Sequence, residues 1–164
     1  SGLTLTRDWM GVDELLGSAV TRLQRYQRDV RVQTTVAADV PAIWVHPALI
    51  EQAVFNVLEN AGKFSPPGEP VQVEAKLVEG ALRIDVRDRG PGIPEDERSR
   101  IFDMFYSVER GDRGRHGTGL GLAICQGMVG AHGGSVQALQ GPDGRGTVIR
   151  ITLPLLTPAP QESA

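Results

Sequence analysis

Three short stretches of the sequence carry residues whose types and spacing suit nucleotide chemistry. The first, RHGTGLGLAI at 115–124, has Gly117, Gly119 and Gly121 at alternate positions directly before an apolar helix. Glycine lets a phosphate approach backbone N–H groups, and a helix N-terminus binds anions. The stretch lacks the lysine of a Walker A loop, and no predicted strand precedes it. Glycines that allow tight helix packing after a loop are therefore an equal alternative.

The second stretch, EQAVFNVLENAGKFS, forms one polar face of a predicted helix. Its polar residues recur at spacings of three and four: Gln52, Asn56, Glu59, Asn60 and Lys63. Asparagine is a poor helix former, and an idle solvent-facing stripe would more often consist of Glu, Lys and Gln. Amide oxygens are neutral ligands for Mg²⁺, and a lysine on the same face can meet phosphates. A plain solvated face is the alternative.

The third stretch, DRGPGI at 88–93, places Asp88 at the end of a predicted strand, followed by Gly90 and Gly92. Such a sequence can be an ordinary turn. A carboxylate can also accept a hydrogen bond from an exocyclic amine such as that of adenine. The two glycines would then leave room for a flat ring against Ile93.

The elements that must position these stretches follow from hydrophobic periodicity. Helical spacing predicts helices over residues 12–28, 47–64 and about 120–131. Alternation predicts strands over 31–36, 42–45, 71–78, 81–87, 135–139 and 147–153. A turn and a short helix are expected after residue 88. This order predicts an α/β two-layer sandwich, a mixed and mostly antiparallel sheet covered on one face by about three helices.

The remaining segments are expected to be irregular. Residues 1–11 are predicted to be an upstream linker, 106–117 a mobile Gly- and Arg-rich loop, and 155–164 a disordered tail.

Composition narrows the function classes. The chain has 164 residues, enough for one domain, a net charge of −3 and 5% aromatic residues. Neither the charge nor the aromatic content favours nucleic-acid binding. A single cysteine, Cys125, excludes an internal disulfide and a cysteine-based zinc site. No apolar run approaches the ~20 residues that span a bilayer.

Taken in order, these stretches resemble the ATP-binding catalytic domains of sensor histidine kinases, within the GHKL superfamily that includes gyrase, Hsp90 and MutL. NVLENAGKF resembles the N box, DRGPGI the G1 box, FDMFY the F box and GTGLGLAI the G2 box. GRGTVIRITLP resembles the closing strand of the family. The resemblance covers about residues 12–154 and implies the Bergerat fold. GLTLTRDWMGVDELLGSAV and LGLAICQGMVGAHGG further resemble the KdpD subfamily, which responds to potassium and turgor.

The resemblance implies a role for each matched residue. Asn60 would coordinate Mg²⁺, with Asn56 close to the metal and the phosphates. Lys63 would contact the phosphates, and Asp88 would accept the adenine amino group, so Asn56 and Lys63 are the implied catalytic residues. The implied ATP-binding residues are Asn56, Asn60, Lys63, Phe64, Asp88, Gly90, Gly92, Ile93, Gly117, Thr118, Gly119, Leu120, Gly121 and Leu122. The loop at 106–117 would be the lid over ATP, and the alternating glycines its hinge.

The residue one turn before Asn60 favours phosphoryl transfer over hydrolysis. GHKL ATPases carry a glutamate there that activates water, whereas this chain has Asn56, and an amide is no general base. Glu59 precedes Asn60 by one residue and so points about 100° away around the helix. A GHKL ATPase or chaperone-type clamp is the alternative function, and a module that uses the fold only for protein contacts is a third.

Two positions depart from the family pattern. Gly62 stands inside the N-box helix, where relatives carry a larger residue, and is expected to loosen the helix slightly. Arg89 stands where Asn is common after the G1 aspartate. Neither change removes a proposed ligand.

The phosphoacceptor histidine is not found in this sequence. His46, His116 and His132 all lack the acceptor setting, and His46 and His132 are expected to be structural or surface residues. Cys125 is expected in the core. The implied partners are ATP, an upstream dimerisation and phosphoacceptor domain, and a response regulator. The resemblance implies a cytoplasmic domain of a homodimeric sensor in a bacterial inner membrane. One of Arg110, Arg113 and Arg115 would reach the γ-phosphate from the lid.

Overall fold

A computed structural model of the chain describes residues 6–104, 106 and 120–159. Several predicted features lie outside these residues. They are residues 1–5, residues 160–164 and the predicted lid, of which only Tyr106 is described. The candidate residues Arg110, Arg113, Arg115, His116, Gly117, Thr118 and Gly119 therefore lie outside the described residues.

Three helices occur within the described ranges, where the periodicity predicts them: α1 (Val12–Tyr26), α2 (Pro47–Phe64) and α3 (Gly121–Gly130). α1 buries the stripe of Leu15, Leu16, Ala19 and Leu23. None of the helices in this part of the chain combines the length and apolar character needed to cross a membrane.

The ends of α2 follow from local chemistry. His46 caps the start because its Nδ1 accepts the Leu49 N–H at 3.3 Å, and Pro47 occupies a first-turn position that needs no N–H. The helix ends at Phe64, where Ser65 N–H bonds the Ala61 carbonyl and two prolines follow.

Seven strands complete the described fold: β1 (Asp8–Met10), β2 (Val32–Val36), β3 (Ile43–Val45), β4 (Val71–Val78), β5 (Ala81–Asp88), β6 (Ser135–Gln140) and β7 (Thr147–Pro154). The main sheet has five strands in the order β2-β4-β5-β7-β6, and all its pairs except β2–β4 are antiparallel. One face packs against the helices, so the predicted two-layer sandwich with a mixed, mostly antiparallel sheet is confirmed.

The central hairpin shows how the sequence sets the register of the sheet. Glu79 and Gly80, between β4 and β5, both have positive φ (51° and 77°), as a two-residue type I′ turn requires. Along β5 every second residue, Leu82, Ile84 and Val86, is buried against the helices. The alternating residues face the other side, where Asp85 accepts two hydrogen bonds from Arg150 on β7. This alternation brings Asp88 to the buried face at the end of the strand.

Two features were not predicted in their observed form. β1 pairs antiparallel with β3 as a separate two-stranded sheet, inside the segment expected to be linker. Its three residues are too few to show a period, and the Trp9–Trp44 contact (5.3 Å between ring centroids) joins residues far apart in sequence. The short helix expected after Ile93 takes the form of two 3₁₀ turns, Glu95–Glu97 and Arg100–Phe102.

Gly62 of α2 lies beside Gln27, the residue that follows α1. A Cβ at this position would collide with the side-chain oxygen of Gln27, which follows α1. Gln27 also donates from Nε2 to the Glu59 carbonyl at 3.3 Å. That oxygen is the far end of a flexible side chain that can rotate away, so this contact makes Gly62 and Gln27 neighbours without requiring glycine at position 62.

Candidate functional site

Asp88 forms one end of the site. It is the last residue of β5, it is only 3% exposed, and its Oδ1 accepts the Gly90 N–H at 2.8 Å. Burial raises the pKa of the Asp88 carboxyl, and hydrogen bonds from the backbone of Gly90 and Thr147 oppose that rise. The carboxylate is thus an acceptor held in one orientation at the end of a strand.

Gly90 joins this strand end to the end of α2. A Cβ at Gly90 would lie 2.5 Å from the Phe64 carbonyl oxygen and 3.0 Å from Asp88 Oδ1, so only glycine allows the observed packing. Gly92 follows with φ of 80°, a conformation that favours glycine. Ile93 packs against the core and accepts a hydrogen bond from Arg98 Nε at 3.2 Å. Of the predicted pocket residues, Gly90 therefore lies against the end of α2 and beside Asp88, and Gly92 and Ile93 follow it in the chain.

Gly146 belongs to this end of the site and was missed as a site residue. It precedes β7 with φ of 75°, and a Cβ there would collide with the Asp88 carbonyl oxygen. From the sequence, this stretch is predicted only as part of the closing strand. One feature of the sequence could have pointed to it: Gly146 directly precedes β7, whose first residue, Thr147, pairs with Asp88 of β5.

Asn56 forms the opposite end. Its side chain is buried between α2 and the start of α3, and its Nδ2 donates to the Gly121 carbonyl at 3.0 Å. Its Oδ1 accepts a hydrogen bond from Gln52 Nε2 at 2.7 Å. Leu122 packs against the core beside this contact, and Leu120 precedes the first helical residue. The first turn of α3 is thereby fixed to the middle of α2.

Asn60 and Lys63 lie between the two ends on the same helix, and both are half-buried. In the described part of the chain the Asn60 amide makes no hydrogen bond, and the Lys63 ammonium lies 5.6 Å from the Phe64 ring centroid. Glu59 is exposed, as its angular position predicts. At 1.5 Å per residue, Asn56 and Phe64 are about 12 Å apart along the axis. Between the buried carboxylate and the N-terminus of α3, α2 therefore presents the Lys63 ammonium and an Asn60 amide that no other described residue bonds.

The side chains that could act as metal ligands limit which metal ion the site could bind. The described residues contain no group of three or more His, Cys, Asp or Glu side chains that could hold an ion. Mg²⁺ is commonly bound by few protein oxygens and completes its octahedron with phosphate oxygens and waters. The unpartnered Asn60 amide fits that pattern and does not fit a dedicated protein cage.

The remaining candidates take structural roles, as predicted. His132, at the end of α3, is 1% exposed; its Nδ1 lies 2.8 Å from the Met128 carbonyl and its Nε2 accepts the His46 N–H at 3.1 Å. Burial lowers the pKa of His132. Cys125 is fully buried, which raises the pKa of its thiol to about 12.

The chain is similar to known proteins over most of its length. The model of the family described as histidine kinase-, DNA gyrase B- and HSP90-like ATPase matches residues 45–157, which include both ends of the site. The chain belongs to this family.

Relatives and solved structures place it among the ATP-binding catalytic domains of sensor histidine kinases. Over 144 residues it is 35% identical to the sensor protein KdpD of Clostridium acetobutylicum, a match that covers 87% of this chain and 16% of KdpD. The mycobacterial sensor histidine kinase MprB superimposes with a TM-score of 0.78 at 33% identity, covering 91% of this chain and 97% of the MprB chain. Full-length ShkA, solved with AMPPNP, gives 0.81 at 28% identity, covering 98% of this chain and 33% of ShkA.

Proposed function

We propose that this histidine-kinase-type domain binds Mg-ATP and donates the γ-phosphoryl group to a histidine on a separate acceptor domain of a two-component sensor kinase. The observation that carries the proposal is that two elements, the end of β5 and the start of α3, both meet α2. Gly90, after β5, touches the Phe64 carbonyl at the end of α2, and Asn56 in the same helix bonds Gly121 of α3.

The adenine base belongs at the Asp88 end. A buried carboxylate held by the backbone N–H groups of Gly90 and Thr147 accepts the adenine amino group. Glycine at positions 90 and 92 lets the backbone around this carboxylate pack closely. Ile93 supplies an apolar surface for that ring, and Phe64 borders the same region.

The phosphates belong beside Asn60, Lys63 and the N-terminus of α3. Asn60 supplies an oxygen ligand for Mg²⁺, which neutralises phosphate charge when bound. Lys63 adds a cation, and the backbone N–H groups at the start of α3, around Gly121, face the anion end. Gly117, Thr118, Gly119, Leu120 and Leu122 are proposed to continue this contact, together with one arginine from Arg110, Arg113 and Arg115.

The chemistry proposed is transfer and not hydrolysis. Asn56 stands where a base would be needed, and its amide already bonds Gln52 and Gly121. In the transfer, a histidine nitrogen of the acceptor forms a bond to the γ-phosphorus. The bond from that phosphorus to the β,γ-bridging oxygen breaks, ADP leaves with the electron pair, and the imidazole proton passes to solvent. The domain's residues orient the nucleotide and stabilise its charge.

The proposal extends to a KdpD-like sensor. The KdpD match spans 144 residues, which is more than the family range 45–157, so it includes sequence beyond that range. The partners proposed are an upstream dimerisation and phosphoacceptor domain and a response regulator. The parent protein is proposed to be a homodimer in a bacterial inner membrane with this domain on the cytoplasmic side.

The test is a titration of the domain with Mg-ATP by calorimetry, followed by a hydrolysis assay and then addition of a separately produced acceptor domain. Binding with negligible turnover, followed by acid-labile labelling of the acceptor histidine, is expected. Rapid turnover without an acceptor would instead indicate a chaperone-type ATPase. Absence of binding would indicate a module for protein contacts alone.

A further inference from the structure

We infer that Arg22 and Gln52 are positioning residues for the phosphate end of the site, acting through Asn56. A chain of three hydrogen bonds, which we name the amide relay, runs from Arg22 through Gln52 and Asn56 to the Gly121 carbonyl. Its effect on nucleotide binding rests on the proposed function, whereas its existence does not.

The amide relay crosses all three described helices. Arg22 of α1 donates from Nη1 to Gln52 Oε1 of α2 at 2.7 Å. Gln52 donates from Nε2 to Asn56 Oδ1, one turn further along α2, at 2.7 Å. Asn56 donates from Nδ2 to the Gly121 carbonyl, at the start of α3, at 3.0 Å. All three distances are those of well-formed hydrogen bonds.

The two ends of the relay fix its direction. A guanidinium can only donate and a carbonyl can only accept, whereas each amide side chain between them can do both. Rotating the Asn56 amide by half a turn would set its oxygen against the Gly121 carbonyl and its NH₂ against the NH₂ of Gln52. Rotating Gln52 would set its NH₂ against Arg22. The chain therefore has one satisfied arrangement.

Arg22 is itself held in place. Its guanidinium lies 4.1 Å from the centroid of the Phe55 ring, and Phe55 meets the Tyr26 ring edge-on at 6.1 Å. Glu51, next to Gln52 on α2, accepts the Ser18 hydroxyl at 2.6 Å, and Arg22 bonds the neutral Gln52 oxygen. Gln52 therefore accepts a charge-assisted hydrogen bond, which is stronger than a bond between neutral groups.

The relay leaves Asn56 with one N–H and one lone pair for other partners. Both point in directions that Gln52 and Gly121 determine. The same bonds tie the first turn of α3, where phosphates are proposed to bind, to α2, which carries Asn60. Loss of Gln52 should therefore weaken the binding of the phosphates and spare the binding of adenosine, since Asp88 lies at the other end of α2.

The experiment measures Kd for Mg-ATP and for adenosine in Gln52→Leu and Arg22→Met, with Gln24→Leu and Arg25→Met on the exposed face of α1 as matched controls. We expect Gln52→Leu to raise the Kd for Mg-ATP about tenfold, with Arg22→Met smaller and the adenosine Kd unchanged. Arg22→Lys, which keeps a charged donor, should restore most of the affinity. In an Asn56→Ala background, Gln52→Leu should have no further effect. The inference would be overturned if Gln52→Leu weakened the binding of Mg-ATP and of adenosine equally. It would also be overturned if the effects of Gln52→Leu and Asn56→Ala on the Kd for Mg-ATP were additive.

A second measurement needs no nucleotide. The side-chain NH₂ signals of Asn56 are recorded in a ¹H–¹⁵N spectrum of each domain without nucleotide. Relative to wild type, these signals should shift in Gln52→Leu and in Arg22→Met, and they should not shift in the two control variants. If wild type binds no Mg-ATP, the proposed function fails and this spectrum still decides the relay. Signals of Asn56 that are identical in wild type and Gln52→Leu would show that the relay does not exist.

Discussion

Different kinds of contact hold the two ends of the site together: backbone packing at one end and side-chain hydrogen bonds at the other. At the Asp88 end, glycine backbones are packed against other backbone atoms: Gly90 against the Phe64 carbonyl and Gly146 against the Asp88 carbonyl. At the Asn56 end, side-chain amides bridge the helices, and a Cβ at Gly121 would lie 4.0 Å from Asn56, an ordinary contact distance. The first arrangement has no spare space, whereas the second has some.

The difference matches what each end is proposed to hold. Adenine is chemically the same before and after transfer, so a rigid pocket suits it. The phosphate chain loses one group during transfer, so its surroundings must accommodate two ligands. Hydrogen bonds between side chains can adjust to such a change by small rotations, whereas a backbone collision cannot be relieved in that way. The predictions below test this contrast, beginning with the largest effect.

Gly90→Ala should be the most damaging change. Its methyl group would lie 2.5 Å from the Phe64 carbonyl oxygen, so β5 or α2 must move. We expect the free energy of unfolding to fall by about 2–3 kcal/mol, with loss of ATP binding. Chemical denaturation measures the first quantity and calorimetry the second. Gly80→Ala, with φ of 77° and open space around it, is the control and should lose only about 1 kcal/mol. Equal losses in the two variants would contradict the packing argument.

Asp88→Asn tests the adenine contact without disturbing the packing. The amide oxygen can still accept the Gly90 N–H, so the circular dichroism spectrum should keep its shape, with a small fall in Tm if the bond from Thr147 is weakened. The side chain no longer offers a charged acceptor, and the Kd for ATP should rise about 10- to 100-fold. Asp85→Asn, on the opposite face of β5 and paired with Arg150, is the control and should leave the Kd unchanged. Wild-type affinity in Asp88→Asn would rule out the adenine assignment.

Asn60→Ala tests the metal contact in the middle of α2. Its amide has no hydrogen-bond partner among the described residues, so its removal should not destabilise the fold. We expect about a tenfold loss of ATP affinity in the presence of Mg²⁺ and none in its absence. Glu59→Ala, one residue away and exposed, is the control. A loss of equal size with and without the metal would assign Asn60 some other role.

Acidic pH should loosen the junction of α2 and α3 more than β5. The neutral His132 ring accepts the His46 N–H and bonds the Met128 carbonyl, and Arg7 and His46 add unfavourable charge nearby. Because folding lowers the pKa of His132, its contribution is complete above the unfolded value of about 6.5 and is lost as pH falls below it. Tm measured from about pH 7.5 to 5 should fall less steeply in His132→Asn than in wild type.

Hydrogen exchange locates that effect. Amides of α3 should lose more protection than those of β5 when the pH is lowered. An unchanged slope of Tm against pH in His132→Asn would show that His132 is not responsible.

The sequence predicted the elements well because their patterns are local. The alternation of Leu82, Ile84 and Val86 and the two asparagines four residues apart in α2 are visible without any tertiary contact, and both stand where expected. What it missed depends on residues that topology brings together. Gly146 matters because β7 pairs with β5. Gln52 was placed on the polar face of α2, but its bond from Arg22 of another helix was not predicted. The spacing of apolar residues, every second residue in a strand or every 3.6 in a helix, does not show which residues of different elements will contact each other. The roles assigned to Asn60, Lys63 and the glycines at 117 and 119 stay predictions.

Gly121→Ala should have the smallest effect on the fold and so gives the sharpest contrast with Gly90→Ala. The added methyl group would make only ordinary contacts with Asn56, and alanine is the better helix former, so stability should change by no more than about 0.5 kcal/mol. Any loss of ATP affinity can then be assigned to the methyl group at the phosphates, because the scaffold is intact. Adenosine affinity should stay at the wild-type value. If Gly121→Ala unfolds the domain as readily as Gly90→Ala, the phosphate end is packed as tightly as the adenine end. The contrast between a backbone-built pocket and a side-chain-built one would then be lost.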